Sequence, residues 1–245
     1  LEFRRVLFRS LKAAGRLLYR KPLSDTLLAG IVGAPLSIAN AQEPASPQPP
    51  TAGDLFNNGH VHDVWLRVNA RDWSDLRAGY TENTYYPADF EWRGVVVRNV
   101  GIRVRGRASR SATKPGLVID FNRYVNGQTF LGLKSLVLDN NWQDPSMMHE
   151  RLSMLVFGRM GIAAPRETYA RLYIGADKEY LGVYSIVEAI DKAFLLRTLQ
   201  ESDGHLYEYK NLDPYHFEDR DQDLRWFADR FEPRTHESVS TWSLY

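Results

Sequence analysis

Residues 101–121, GIRVRGRASRSATKPGLVIDF, read as two strands with a loop between them, and 101–114 hold five cations and no acid: Arg103, Arg105, Arg107, Arg110 and Lys114. On one reading the cations face an anion. On the other they are a solvated strand face, since surface arginine is common. Other chemistry-bearing groups are sparse. His60, His62 and Asp63 form an HxHD stretch, but no third ligand follows at a zinc-site spacing and no HExxH occurs. His149 beside Glu150 reads as a helix-surface histidine, and Ser109 and Ser111 have no GxSxG context. The chain has no cysteine, which excludes disulfides, thiolate zinc sites and a thiol nucleophile.

The elements that must position these groups sit in a chain of 245 residues, 44% hydrophobic and 12% aromatic, which is globular composition. The net charge of +1 is uneven. Residues 1–41 carry seven of 31 bases and two of 30 acids, leaving 24 bases against 28 acids, a net −4 for the remainder. A mildly acidic body argues against non-specific nucleic-acid binding, so no nucleic-acid partner is expected. LEFRRVLFRS reads as vector, adapter or misassembled sequence, and both termini read as cut. Arg16, Arg20 and Lys21, the apolar run Leu27 to Ile38 and Ala39-Asn40-Ala41 together read as a secretory signal peptide cleaved after Ala41. The expected location is therefore secreted, periplasmic or cell-surface, with no stable membrane span after cleavage. A Pro-rich linker at 42–53 follows.

From residue 54 the pattern turns to strands. Alternation predicts strands near 60–69, 90–97, 102–105, 117–121 and 135–140, with a hairpin turn at Arg93-Gly94 and another turn at Asn126-Gly127. DWSDLRAG (72–79) predicts a short helix. DPSMMHERLSMLVFGRMG (144–161) predicts the clearest one, capped by Asp144 and opened by Pro145. Its stripe of Met148, Leu152, Leu155, Val156 and Met160 is expected in the core. TYARLYI (168–174) and EYLGVYSIVE (179–188) predict a hairpin, DKAFLLRTLQ (191–200) a second helix and GHLYEYK (204–210) a further strand.

Five segments taken in order carry a resemblance: GIRVRGRASR (101–110), KPGLVIDF (114–121), FLGLKSLVLDNNWQDPSMMHERL (130–152), GIAAPRETYARLYI (161–174) and YLGVYSIVEAIDKAFL (180–195). They resemble the CotH family of spore-coat-type secreted kinases. The resemblance implies an α+β fold: a protein-kinase-like, strand-rich N-terminal lobe with one central helix over 54–187, then a hinge and the start of a C-terminal lobe over 188–245. It implies ATP and Mg²⁺ as cofactors and phosphoryl transfer to Ser or Thr of extracellular or surface proteins. By resemblance Lys114 anchors phosphate and Glu150, 36 residues on, pairs with it, while Arg105 and Ser109 lie in the loop covering the phosphates. Glu188 marks the hinge, and Val187 and Ile190 line the base pocket. The usual GxGxxG is absent. No catalytic or metal-binding Asp is expected in this chain. EDRDQD (218–223) reads as a solvated insertion, and the catalytic carboxylates are expected beyond Tyr245. The rival readings are a non-catalytic pseudokinase or cell-surface binding module, and a carbohydrate-binding domain using Trp65, Trp73, Trp92 and Trp142.

Overall fold

The structure, a computed structural model, describes residues 48–209, 225–226 and 230–235. The expected leader and the acidic stretch 218–223 lie outside the described residues. The described residues form two units, divided between Asp203 and Gly204.

In the larger unit, alternation builds strands that each bury one row of side chains. His62–Val68 (β1) turns Val64, Leu66 and Val68 inward; Tyr86–Trp92 (β2) turns in Ala88, Phe90 and Trp92; and Val95–Val104 (β3) turns in Val100, Ile102 and Val104. Leu117–Asp120 (β4), Ser135–Asp139 (β5) and Glu167–Ile174 (β6) repeat the pattern, whereas Glu179–Glu188 (β7) is buried on both faces over residues 184–188. Pairing runs β1-β2-β3-β4-β5-β7-β6, antiparallel throughout. The circle then closes through a parallel β6–β1 ladder, His62 opposite Ala170 to Leu66 opposite Ile174. Closure leaves the barrel itself without a free edge. Phe90, Phe121, Phe130 and Trp92 fill one region of the interior in edge-to-face and tilted contacts with ring centroids 4.7–5.8 Å apart. Each such side chain contributes about 1.5–3 kcal/mol by leaving water.

Ala52–Leu55 (α1) starts inside the stretch expected as spacer. Thr51 and Asp54 form a capping box, and Leu55 is fully buried. Ala70–Ala78 (α2), capped by Asn69, turns Trp73 and Leu76 inward beside β2. His62 is committed to the core: its Nδ1 accepts the Trp92 indole N–H at 3.1 Å. Burial, then the charges of His60 and Arg93, hold its pKa below the ordinary 6.5, which favours the neutral ring.

The expected kinase-like α+β lobe with a central helix is not what the chain forms. It forms a closed, seven-stranded mixed barrel, and its helices are short and peripheral. His149–Arg159 (α3) covers only the later part of the predicted helix. Asp144 accepts from Ser146 and from the His149 amide instead of standing at the N-cap. The apolar stripe faces outward: Met148, Leu152, Leu155, Val156 and Met160 are exposed, Met160 to 67%, and Met154 alone of the helix is buried. Helical periodicity identifies a common face, not what covers it. Closure depends on a β1–β6 pairing of residues 108 apart, which no local pattern records. Lys192–Leu199 (α4) begins after Asp191, whose carboxylate accepts from the Ala193 and Phe194 amides as expected of an N-cap.

In the smaller unit, Tyr207–Tyr209 (β8) pairs antiparallel with Phe231–Pro233 (β9). The Thr235 hydroxyl accepts from the Leu206 amide and donates to the Gly204 carbonyl, both at 2.9 Å.

Candidate functional site

The cationic stretch becomes the end of β3 and the loop to β4, and the structure divides its charges by task. Arg110 holds the loop's shape: it donates to the carbonyls of Gly106, Tyr80 and Glu82 and to the Asn83 side chain at 2.6–3.1 Å. Arg103 donates to the Val104 carbonyl at 3.0 Å and lies over the Tyr85 ring. Arg105 pairs with Asp139 at 2.9 Å, and the backbone closes beneath it as the Arg105 amide donates to the Gly116 carbonyl. Gly106 has φ +100°, and a Cβ there would meet Ser109 Oγ at 2.4 Å, so the loop needs glycine at that point.

Lys114 lies in this loop, ahead of β4. Its stem crosses Gly182 of β7, where a Cβ would press on Lys114 Cε at 3.3 Å. Its Nζ stands 5.0 Å above the ring of buried Tyr184, whose hydroxyl donates to the Pro115 carbonyl at 3.1 Å. Among the described residues Nζ forms no hydrogen bond or ion pair. Burial lowers its pKa, and the carboxylate opposing that shift is Asp139. The pairing with Glu150, which sits half-buried on the first turn of α3, is not formed in this structure. The site therefore gathers Lys114, Arg105 and Ser109 with Asp139, Asn140, Gly182 and Tyr184.

Cross-strand register sets what adjoins them. Val118, Val137 and Val187 stand side by side on the outer face of β4, β5 and β7, with Glu167 next in the row on β6. The row nearer the loop carries Asp139, Ser185 and Tyr169. Glu167 is only 6% exposed, and among the described residues no hydrogen bond reaches either carboxylate oxygen. Burial raises its pKa to about 7, against the pull of Arg151 and of the nearby Ser185 hydroxyl, which donates to Asn141 Oδ1 rather than to Glu167. The raised value places its effect between the ordinary 4.5 and about 7. In that window the fold holds a proton that the unfolded chain releases, so stability is full below 4.5 and falls as pH rises through 7. Glu167→Gln should therefore raise stability at pH 8 by about 3 kcal/mol and change little at pH 4, read by denaturant midpoints at the two pH values. An equal gain at both would show that ionisation is not the cause.

Of the residues expected at the hinge, Val187 is buried in the outer row and Ile190 is half-buried after β7. Glu188 is a structural hub: Arg166 and Arg197 both donate to its carboxylate, and its own amide donates to the Arg166 carbonyl. Trp73 and Trp92 are core, Trp65 is half-buried and Trp142 is exposed, so the four tryptophans do not share one exposed face.

Sequence reasoning passed over Asp139, Asn140, Gly182, Tyr184 and Glu167. Three carried a signal. A glycine within a strand, as at 182, marks close approach of another chain segment. The polar run Asp139-Asn140-Asn141 at a strand end marks groups that bond neighbouring backbone.

A family model described as CotH kinase protein matches residues 102–241, more than half of the chain. Inner spore coat protein H of Bacillus subtilis (strain 168) is 28% identical over 153 residues, covering 62% of this chain. The match spans 40% of that relative's length.

Proposed function

The chain belongs to the CotH family, and from that premise we propose that its barrel binds the nucleotide in a protein kinase that transfers the γ-phosphate of ATP to Ser or Thr side chains. The observation that carries this is the outer face of β4, β5 and β7. An apolar row, Val118-Val137-Val187, adjoins a polar end where Arg105 pairs with Asp139, and Lys114 stands at the same end over the inward-facing Gly182 and Tyr184. That juxtaposition suits a flat base on the valines and a phosphate chain running toward the cations. Ser109 belongs to the loop that would close over the phosphates, and Ile190 borders the base.

In the reaction the acceptor hydroxyl oxygen bonds to the γ-phosphorus and the bond to the β–γ bridging oxygen breaks. Its electron pair leaves with ADP, and the hydroxyl proton passes to a carboxylate base. Lys114 and Arg105 contribute by neutralising charge and by orientation. Among the described residues no group of three His, Asp or Glu side chains could hold a metal ion, so they do not by themselves fit the Mg²⁺ the family implies. The base and the metal ligands are assigned to polypeptide outside the described residues.

The location proposed is the cell exterior or surface, in keeping with the relative's name and with the leader-like residues 16–41. Among the described residues no helix is long and apolar enough to cross a membrane.

Titration calorimetry of the purified protein with MgATP is the test. Saturable binding is expected, with a dissociation constant of about 1 μM to 1 mM, competed by ADP. Val137→Asp, which puts a charge into the apolar row, should abolish it. Absence of binding by the folded protein would overturn the reading. A non-catalytic surface module is the second reading, favoured by Arg103 and Arg110 being bonded to protein carbonyls. Binding without phosphate transfer to any Ser/Thr acceptor would select it.

A further inference from the structure

Asn140 follows β5 directly and is 2% exposed, a buried amide at the mouth of the cationic loop. Its Nδ2 donates to two carbonyls, those of Ser109 and Lys114, each at 2.8 Å. Its Oδ1 accepts the Trp142 amide at 3.2 Å, so the side chain is held on both sides. The two carbonyls bracket the segment that carries Arg110, Ser111 and Thr113. Within it, Ser111 Oγ accepts from the amides of Thr113 and Lys114. One planar amide thus ties both ends of the segment to the strand that also carries Asp139, the partner of Arg105.

We infer that Asn140 is the positioning residue of the nucleotide site, fixing the 109–114 loop so that Lys114 stays seated across Gly182 and Tyr184 and reaches the phosphates without a further ordering cost. This rests on the proposed nucleotide-binding function. A free loop would lose conformational entropy on binding, whereas a clamped one has lost it on folding. Asn140 itself touches no substrate in this scheme. Its removal should therefore weaken nucleotide capture and leave the transfer step alone.

The test uses the intact protein with Asn140→Ala and Asn140→Asp. The aspartate keeps the volume, replaces both donors with acceptors, and serves if the alanine variant fails to fold. Amide hydrogen exchange across 109–114 in the nucleotide-free variants should speed up by about tenfold, the scale for losing bonds of this kind, with the barrel strands unchanged. KM for ATP should rise by about tenfold, with kcat and the KM for the acceptor protein nearly constant. A merely structural residue would lower kcat through a smaller active fraction and leave the ATP KM alone, and that result overturns the inference. Unchanged loop exchange overturns it as well. A wild-type protein that binds no nucleotide instead overturns the kinase reading, and the nucleotide role of Asn140 with it.

Discussion

Lys114→Ala is expected to lower ATP-dependent phosphate transfer by about 100-fold or more in the intact protein, the loss that follows when a charge-assisted phosphate contact is removed. Folding should be almost untouched. Burial already lowers the pKa of this lysine, so its charge is a cost to the fold, and no hydrogen bond or ion pair among the described residues is lost with it. Thermal melting and transfer rate, measured on the same preparation, separate the two effects. A folded variant with wild-type transfer would end the lysine's assigned role. The same assay decides which carboxylate governs the cations. Asp139→Asn should remove the ion pair with Arg105 and weaken ATP binding if the observed pair is the working one. Glu150→Gln should do so only if α3 turns toward Lys114 when nucleotide binds.

The sequence carried the strands because alternation is local and most strands bury one face. Residues 62–68, 167–174 and 179–188 lie where the pattern put them. It also pointed to the region of the candidate site, because five cations without an acid stand out in any composition. The division of labour among them was not legible. What separates Arg110 from Lys114 in place is what the fold brings to each: carbonyls from residues 80 and 82 for the first, a glycine and a tyrosine ring from β7 for the second. Such partners are distant in sequence, and residue type alone does not distinguish a structural arginine from one that binds a ligand. Barrel closure and the outward stripe of α3 were hidden for the same reason. Both depend on which surfaces meet, and a periodic pattern reports only that a surface exists.

Glu188 shows how far a residue's assigned place can differ from its task, and Glu188→Ala should give the largest loss of stability of the substitutions proposed. The carboxylate is 3% exposed. It accepts from the Arg166 amide at 3.0 Å, from the Arg166 guanidinium at 2.7 and 3.2 Å and from Arg197 Nε at 2.9 Å. These bonds join the end of β7 to the segment entering β6 and to α4. Burial alone would raise its pKa, but the bonds from Arg197 and Arg166 outweigh burial and hold it below the ordinary 4.5. The sign follows from that direction. The contribution is present above 4.5 and is lost as pH falls through the lower folded value. Removing the carboxylate strands two partly buried guanidinium groups, a cost of about 3–5 kcal/mol and a fall in melting temperature on the order of 10 °C at pH 7. The gap between wild type and variant should narrow as the pH drops below 4.5, because the wild type then loses the same interaction. A drop of less than about 2 °C at pH 7 would mean that the arginines find other acceptors. Glu188→Gln keeps the shape and one acceptor oxygen, so it should lose less stability. ATP affinity in the folded Gln variant should stay at the wild-type value, because in this geometry the carboxylate faces two arginines and not a ligand.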